Sequence, residues 1–231
     1  YTVSFYGTGT ITFSGTYAGS LVGTGVSDRV SLTFTATAGT LINTISGTVE
    51  NGQCENLIYA TSYIPTTGVT ATRIADTASK TGLSSYINSS EGVLYAEISA
   101  LANDLTTRII TVSDGSNSVN LVRIGYTTTS NIIDVRLIVN SITTSFSFTS
   151  SNLLDISKIA VKWKLNDVAL WINGVEVATD LSFTTFSSNV LNVLNFSNGN
   201  GTSNPFYGNT KDLRVYTTAL TDAELTTLTT L

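Results

Sequence analysis

Glu91 and Glu97 are the nearest pair of carboxylates whose spacing could do chemistry, since residues six apart share one face of a strand. Two acids facing one cleft cleave glycosidic bonds, one as the acid and the other as nucleophile or base. Here Glu91 precedes the strand, and Gly92, Val93, Leu94, Tyr95 and Ala96 intervene without a second acid, so two solvated surface acids are expected. The chain contains no His, which excludes Ser-His-Asp and Cys-His catalysis and imidazole-based zinc sites. Cys54 is the only cysteine, so an internal disulfide is excluded and a buried structural thiol is expected. No glycine-rich loop closes on Gly-Lys-Ser or Gly-Lys-Thr, which removes nucleotide hydrolysis as well. The chain is not expected to be an enzyme.

Oxygen-rich loops offer Asn103-Asp104, Asp114 with Asn117, Asp134, Asp167, Asp180, and Asn198 with Asn200, and calcium accepts carboxylate, amide and carbonyl oxygens alike. None has EF-hand spacing, and Asp and Asn are also ordinary turn formers. Calcium is left open, with no ligand set assigned and no other cofactor expected. Aromatic rings on a polar surface can hold sugars, because ring faces stack on pyranose rings while Asn, Asp and Ser bond the hydroxyls. Tyr86, Tyr126, Trp163, Trp171, Phe206 and Tyr207 are of that type. Trp163 and Trp171 lie in alternating strands and read as core, whereas Tyr86, Phe206 and Tyr207 fall in loops and are the candidate carbohydrate contacts.

The elements that must position these groups are strands. Thr and Ser make up roughly 30% of the 231 residues, against 12% charged residues, a composition that favours strands over helices. From Tyr1 to Val49 apolar and small polar residues alternate between glycines, as in Val3, Phe5, Ile11, Phe13, Val30, Leu32 and Phe34. The pattern breaks around Pro65 and Gly68 and resumes after Ser79. Ten longer strands follow: Gly92 to Ala100, Thr107 to Ser113, Ser118 to Tyr126, Ile132 to Asn140, Thr143 to Thr149, Lys158 to Lys164, Ala169 to Asn173, Val175 to Asp180, Val190 to Phe196 and Gly208 to Tyr216. Asp114-Gly115 and Asn173-Gly174 predict two-residue hairpin turns. One helix is expected at the end, capped by Thr221 with Glu224 three residues on, its apolar stripe Leu225 and Leu228. The expected fold is all-β, an antiparallel β-sandwich of jelly-roll type with a smaller N-terminal β-module. Residues 1–62 form that module, 63–79 a linker and 80–231 the sandwich, with Trp163 and Ile172 inside and Lys162 and Lys164 outside.

The stretch Lys158-Ile159-Ala160-Val161-Lys162-Trp163, followed by Ala169-Leu170-Trp171-Ile172-Asn173-Gly174-Val175-Glu176-Val177, resembles the hairpin of concanavalin-like, laminin-G-type domains. Phe206 to Tyr216 and Ala219 to Leu225 are similar to that family's closing strand and terminal helix. Ala60 to Thr66, after a glycine- and threonine-rich β-module, resembles a junction in bacteriophage tail-fibre and other virion structural proteins. There a carbohydrate-binding-like jelly roll ends and a laminin-G-like domain begins; Gln53-Cys54-Glu55-Asn56 departs from the acids and small residues usual before it. The resemblance implies a virion or extracellular-surface protein that is structural or receptor-binding, with a cell-surface glycan and other virion or appendage proteins as partners. A purely structural protein without ligand, a bacterial adhesin and a polysaccharide-degrading enzyme stay open beside it.

Residues 1–56 would then be only the closing strands of a first module, part of a longer chain, leaving Val3, Phe5, Phe13 and Phe34 without a full opposing sheet. A homo-oligomer follows, a trimer by analogy with the resembled fibres, with its contacts in Tyr1 to Tyr63. The net charge of −5 leaves no basic field for a phosphate backbone, so nucleic acid is not an expected partner. No apolar run reaches the roughly 18 residues of a membrane-spanning helix.

Overall fold

Alternation of apolar and polar residues between glycine and asparagine turns produces strands almost throughout. The computed structural model describes residues 1–72 and 77–231. The chain divides into two compact units, Tyr1–Ile74 and Ala75–Leu231. The first holds β1 (Thr2–Gly7), β2 (Thr10–Gly15), β3 (Gly19–Val22), β4 (Gly25–Thr33), β5 (Leu41–Ser46) and β6 (Glu50–Glu55). They form two three-stranded antiparallel sheets, in the orders β4, β1, β6 and β3, β2, β5. Val3 and Phe5 of one sheet meet Ile11 and Phe13 of the other, and Phe34 closes the cluster with its ring stacked on Tyr17 at 4.1 Å. This corrects the expectation that Val3, Phe5, Phe13 and Phe34 lack an opposing sheet: all four are buried by a second sheet of the same unit. Cys54 also departs from expectation. It pairs with Val3 but stands on β6, an edge strand, and is exposed.

The second unit contains β7 (Ser79–Lys80), β8 (Gly92–Ala100), β9 (Arg108–Ser113), β10 (Leu121–Tyr126), β11 (Ile132–Val139) and β12 (Ile142–Thr149). These are followed by β13 (Ser157–Trp163), β14 (Val168–Ile172), β15 (Val175–Asp180), β16 (Val193–Asn195), β17 (Gly208–Tyr216) and α1 (Asp222–Thr229). A six-stranded antiparallel sheet in the order β12, β11, β10, β9, β16, β7 packs on a five-stranded one in the order β15, β14, β13, β8, β17. The apolar faces enclose one core, to which Leu94, Ile98, Ile110, Ile124, Leu137 and Trp163 contribute. The result is the all-β sandwich expected, with a smaller N-terminal module and one short C-terminal helix. All ten expected strands form, and Ser79–Lys80, from the stretch read as linker, adds an edge strand by pairing with β16.

Turn chemistry decides the hairpins. Asn173 (φ 51°) and Gly174 (φ 83°) make the expected tight turn between Ile172 and Val175. Asp114-Gly115 does not, because Ser113 pairs with Leu121 and residues 114–120 lie between. The Asp114 carboxylate accepts from Ser116 N and Asn120 Nδ2 instead, which organises a wider loop. The other tight turn is Asn140-Ser141, both with positive φ, joining Val139 to Ile142.

Strand β13 keeps the expected register, with Trp163 and Ile172 in the core and Lys164 exposed. Lys162 faces away from that core as expected, yet it is only 6% exposed, and its expected exposure is corrected. Helix α1 covers this outer face and closes a second apolar cluster of Val93, Tyr95, Ala160, Ala169, Trp171 and Leu225. Thr221 accepts from Glu224 N while the Glu224 carboxylate accepts from Thr221 N, so the helix start is satisfied reciprocally. The Lys162 ammonium is neutralised at the rim by Asp167 at 2.7 Å and Asp222 at 3.4 Å.

Candidate carbohydrate-binding face

Cross-strand partners share a face, so pairing register defines what the outer side of the six-stranded sheet presents. Ser79 opposes Asn195, Asn195 opposes Thr111, and Thr111 opposes Arg123. Arg123 in turn opposes Arg136, which opposes Ser145. One polar row therefore crosses all six strands on the side away from the core. Next to it Asp134 stands opposite Gly125, which has no side chain to fill the space. Asp134 accepts from Arg123 Nη2 at 2.7 Å and is ion-paired with Arg136, whose Nε lies 3.2 Å away. Two guanidinium groups share one carboxylate, which leaves a net positive charge on an otherwise neutral polar face. Arg123 is 21% and Arg136 44% exposed at the side chain, so part of each hydrogen-bonding fork is open to a ligand.

A loop of residues 196–205 stands over this face and makes it a groove. Thr111 Oγ1 donates to Ser197 O and Ser113 Oγ to Gly199 O, tying the loop to β9. Within the loop, Asn198 Oδ1 accepts from the backbone N–H groups of Thr202 and Ser203, and Asn198 Nδ2 donates to Ser203 Oγ. Asn200 N donates to Asn117 Oδ1, joining it to the 114–120 loop. Approach there is so close that a Cβ on Gly199 would lie 1.8 Å from Ser116 O, which only glycine permits. Thr111, Asn117, Arg123, Asn198, Ser203 and Asn204 line a cleft of about 280 Å³ between loop and sheet. Its floor is Ile109 and Leu121, both nearly fully buried. A shallow groove with amide, hydroxyl and guanidinium groups over an apolar floor suits a polyhydroxylated ligand.

The three aromatic candidates do not come together. Gly208 pairs with Ala100 and Tyr216 with Val93, so Phe206 and Tyr207 lie at the Ala100 end of β8. Tyr86 lies near the other end, where Asn88 Nδ2 donates to Thr217 O. At about 3.3 Å per residue the two ends are roughly 25 Å apart. Phe206 is 9% exposed and packs on Tyr126 and Phe196, which leaves its ring no free face for stacking. Tyr207 is half-buried with the Arg108 guanidinium 4.5 Å from its ring centroid, and Tyr86 is 71% exposed. Trp163, Trp171 and Tyr126 are core residues.

The acids are occupied. Glu97 is buried against Lys211 at 2.7 Å, and that hydrogen bond holds its carboxyl below the usual range, the wrong direction for a general acid. Glu91 pairs with Lys164 at 3.6 Å. Of the calcium candidates, Asp104 holds Arg108, Asp134 holds the two arginines, Asp167 holds Lys162, and Asp114 and Asp180 close turns. Among the described residues no group of three His, Cys, Asp or Glu side chains is placed to hold a metal ion.

The polar row was missed in the sequence, although alternation shows Arg123, Asp134 and Arg136 at outward positions of their strands. What alternation omits is which outward face stays open, since α1 covers the other sheet.

No protein-family model and no curated protein matches the chain. Solved structures with the same fold include the CBM40 module of the Ruminococcus gnavus IT-sialidase, at 18% identity and a TM-score of 0.52 over 62% of this chain and 84% of that one. The same module bound to α2,6-sialyllactose matches at 16% identity and a TM-score of 0.52, over 64% of this chain and 91% of that one. The NanB sialidase of Streptococcus pneumoniae matches at 14% identity and a TM-score of 0.51, over 65% of this chain but only 26% of the sialidase. The chain thus shares the antiparallel β-sandwich fold of these structures.

Proposed function

We propose that this protein is a non-enzymatic carbohydrate-binding protein that takes an acidic glycan on the outer face of its six-stranded sheet. The observation that carries the reading is the groove under loop 196–205, lined by Arg123, which shares the single Asp134 carboxylate with Arg136 on the neighbouring strand, so that the pair retains a net positive charge. A carboxylated sugar would pair with the open guanidinium positions, and Asn117 and Asn204 would bond its hydroxyls. The sandwich shared with the CBM40 module of the Ruminococcus gnavus IT-sialidase, described bound to α2,3- and to α2,6-sialyllactose, supports the ligand class. Calorimetric titration of the intact chain with sialyllactose and with lactose tests it. Saturable binding of the acidic sugar alone is expected, weakened at least about tenfold in Arg123→Ala, the size of one lost charge-assisted hydrogen bond. Equal binding of both sugars, or none of either, overturns the reading.

The protein is further proposed to act at an extracellular or virion surface, as a homo-oligomer joined through its first unit. Ile45 supports this: it pairs with Ile11, so it is on the inner face of its sheet, yet on edge strand β5 it is 58% exposed. A second copy laid against β5 would cover it. Sedimentation of the intact chain is expected to show an oligomer, a trimer if the fibre resemblance holds, and dissociation on Ile45→Lys. A monomer at all concentrations removes the oligomer and leaves glycan binding untouched.

A further inference from the structure

The turn before β8 and the segment after Phe186 enclose a second cleft, of about 440 Å³. Ser84, Ser85, Asn88, Ser188, Asn189 and Thr217 line it, and no charged side chain does. Its frame is fixed. Tyr86 N and Ile87 N both donate to Leu83 O, Asn88 Nδ2 donates to Thr217 O, and Ser89 Oγ accepts from Leu191 N. Trp163 Nε1 donates to Ser89 O, anchoring the turn to the core. By contrast, the side chains of Ser84, Ser85, Ser188 and Asn189 make no hydrogen bond among the described residues, so their donors and acceptors are free for a ligand. Tyr86, between Ser85 and Ile87 at the rim, is 71% exposed.

The geometry points to a second saccharide subsite here, for a neutral sugar: hydroxyl and amide groups on a rigid frame bond ring hydroxyls, and the Tyr86 ring stacks on the apolar face of a pyranose. The absence of charge in the lining disfavours phosphates, peptides with ionised termini and acidic sugars. The inference rests on the carbohydrate-binding reading for its ligand class alone, since it shares no residue with the Arg123 groove. Two separate subsites on one sandwich would let the chain engage a branched or repeating polymer at two points, with a gain from effective concentration.

Backbone amide shifts of the intact chain, titrated with gluco-, manno- and galacto-configured neutral tetrasaccharides, test the subsite. At least one is expected to shift Ser85, Tyr86, Asn88 and Asn189 saturably while leaving Arg123 and Arg136 unmoved. Tyr86→Ala, at an exposed position, is expected to weaken that binding about tenfold or more. Asn189 has φ 60°, which glycine adopts freely, so Asn189→Gly removes the amide without strain and is expected to weaken it several-fold. Either variant should bind sialyllactose as the parent does. No saturable shift at this turn with any of the sugars, or binding that both variants retain, overturns the inference. Failure of the Arg123 groove would show instead at β10 and β11.

Discussion

Replacing Trp163 with alanine is expected to cost about 3 to 5 kcal/mol, the usual range for deleting a large aromatic ring from a close-packed core. The residue is fully buried, and its indole N–H donates to Ser89 O at 3.1 Å. Both contributions vanish in Trp163→Ala, and Ser89 O loses its donor in a buried place. The cavity could not collapse easily: a Cβ on Gly92 would lie 2.6 Å from the ring, so the backbone of β8 already abuts it. At about 2 to 4 °C per kcal/mol for a domain of this size, calorimetry should show the melting of the second unit fall by roughly 6 to 20 °C. Trp163→Phe keeps most of the volume and should fall between. A loss below about 1 kcal/mol for the alanine variant would mean that Trp163 does not sit in the core.

The second large effect is expected at Asp104. Arg108 is 1% exposed, with one guanidinium nitrogen bonded to Ala102 O and another to the Asp104 carboxylate, which is 19% exposed. Asp104→Ala would strand a buried cation, for which about 3 to 5 kcal/mol is typical. Arg108→Met should cost less, because the charge left behind is the one water can reach. The double variant should recover part of the loss of Asp104→Ala, since no buried charge remains unpaired. Denaturation with urea supplies all three values. If the cost of Asp104→Ala does not exceed that of Arg108→Met, the stranded-cation account is wrong.

The functional face was only partly legible from the chain. Tyr86, Phe206 and Tyr207 were chosen because aromatic residues in loops stay accessible, a rule that says nothing about where a loop packs. Phe206 turned inward onto Tyr126 and Phe196, and Tyr207 was placed beside a buried arginine. Arg123 and Arg136, thirteen residues apart on two strands, carry no spacing that marks them as a pair. They converge on Asp134 because β10 and β11 pair with Arg123 opposite Arg136 and Gly125 opposite Asp134, a register backed by the inward apolar side chains of both strands.

What the sequence by itself determined is the set of faces. A period of two assigns every residue of β8 to β17 to one side of its sheet or the other, and a slip of one position would expose Trp163 and bury Lys164. The capping residues Thr221 and Glu224 likewise set where α1 begins. Only the tertiary structure decided which of the two outer faces stays open. Alternation has no information on what lies above a sheet, and it was α1, docked through its Leu225 onto Trp171 and its neighbours, that closed the five-stranded sheet and buried Lys162. The six-stranded sheet received a loop instead, held off by the close approach at Gly199, and its polar row was left with room above it. The same limit explains the first unit, where each strand shows its inner side but not that six short strands suffice to bury Phe5 and Phe13 between two sheets of their own.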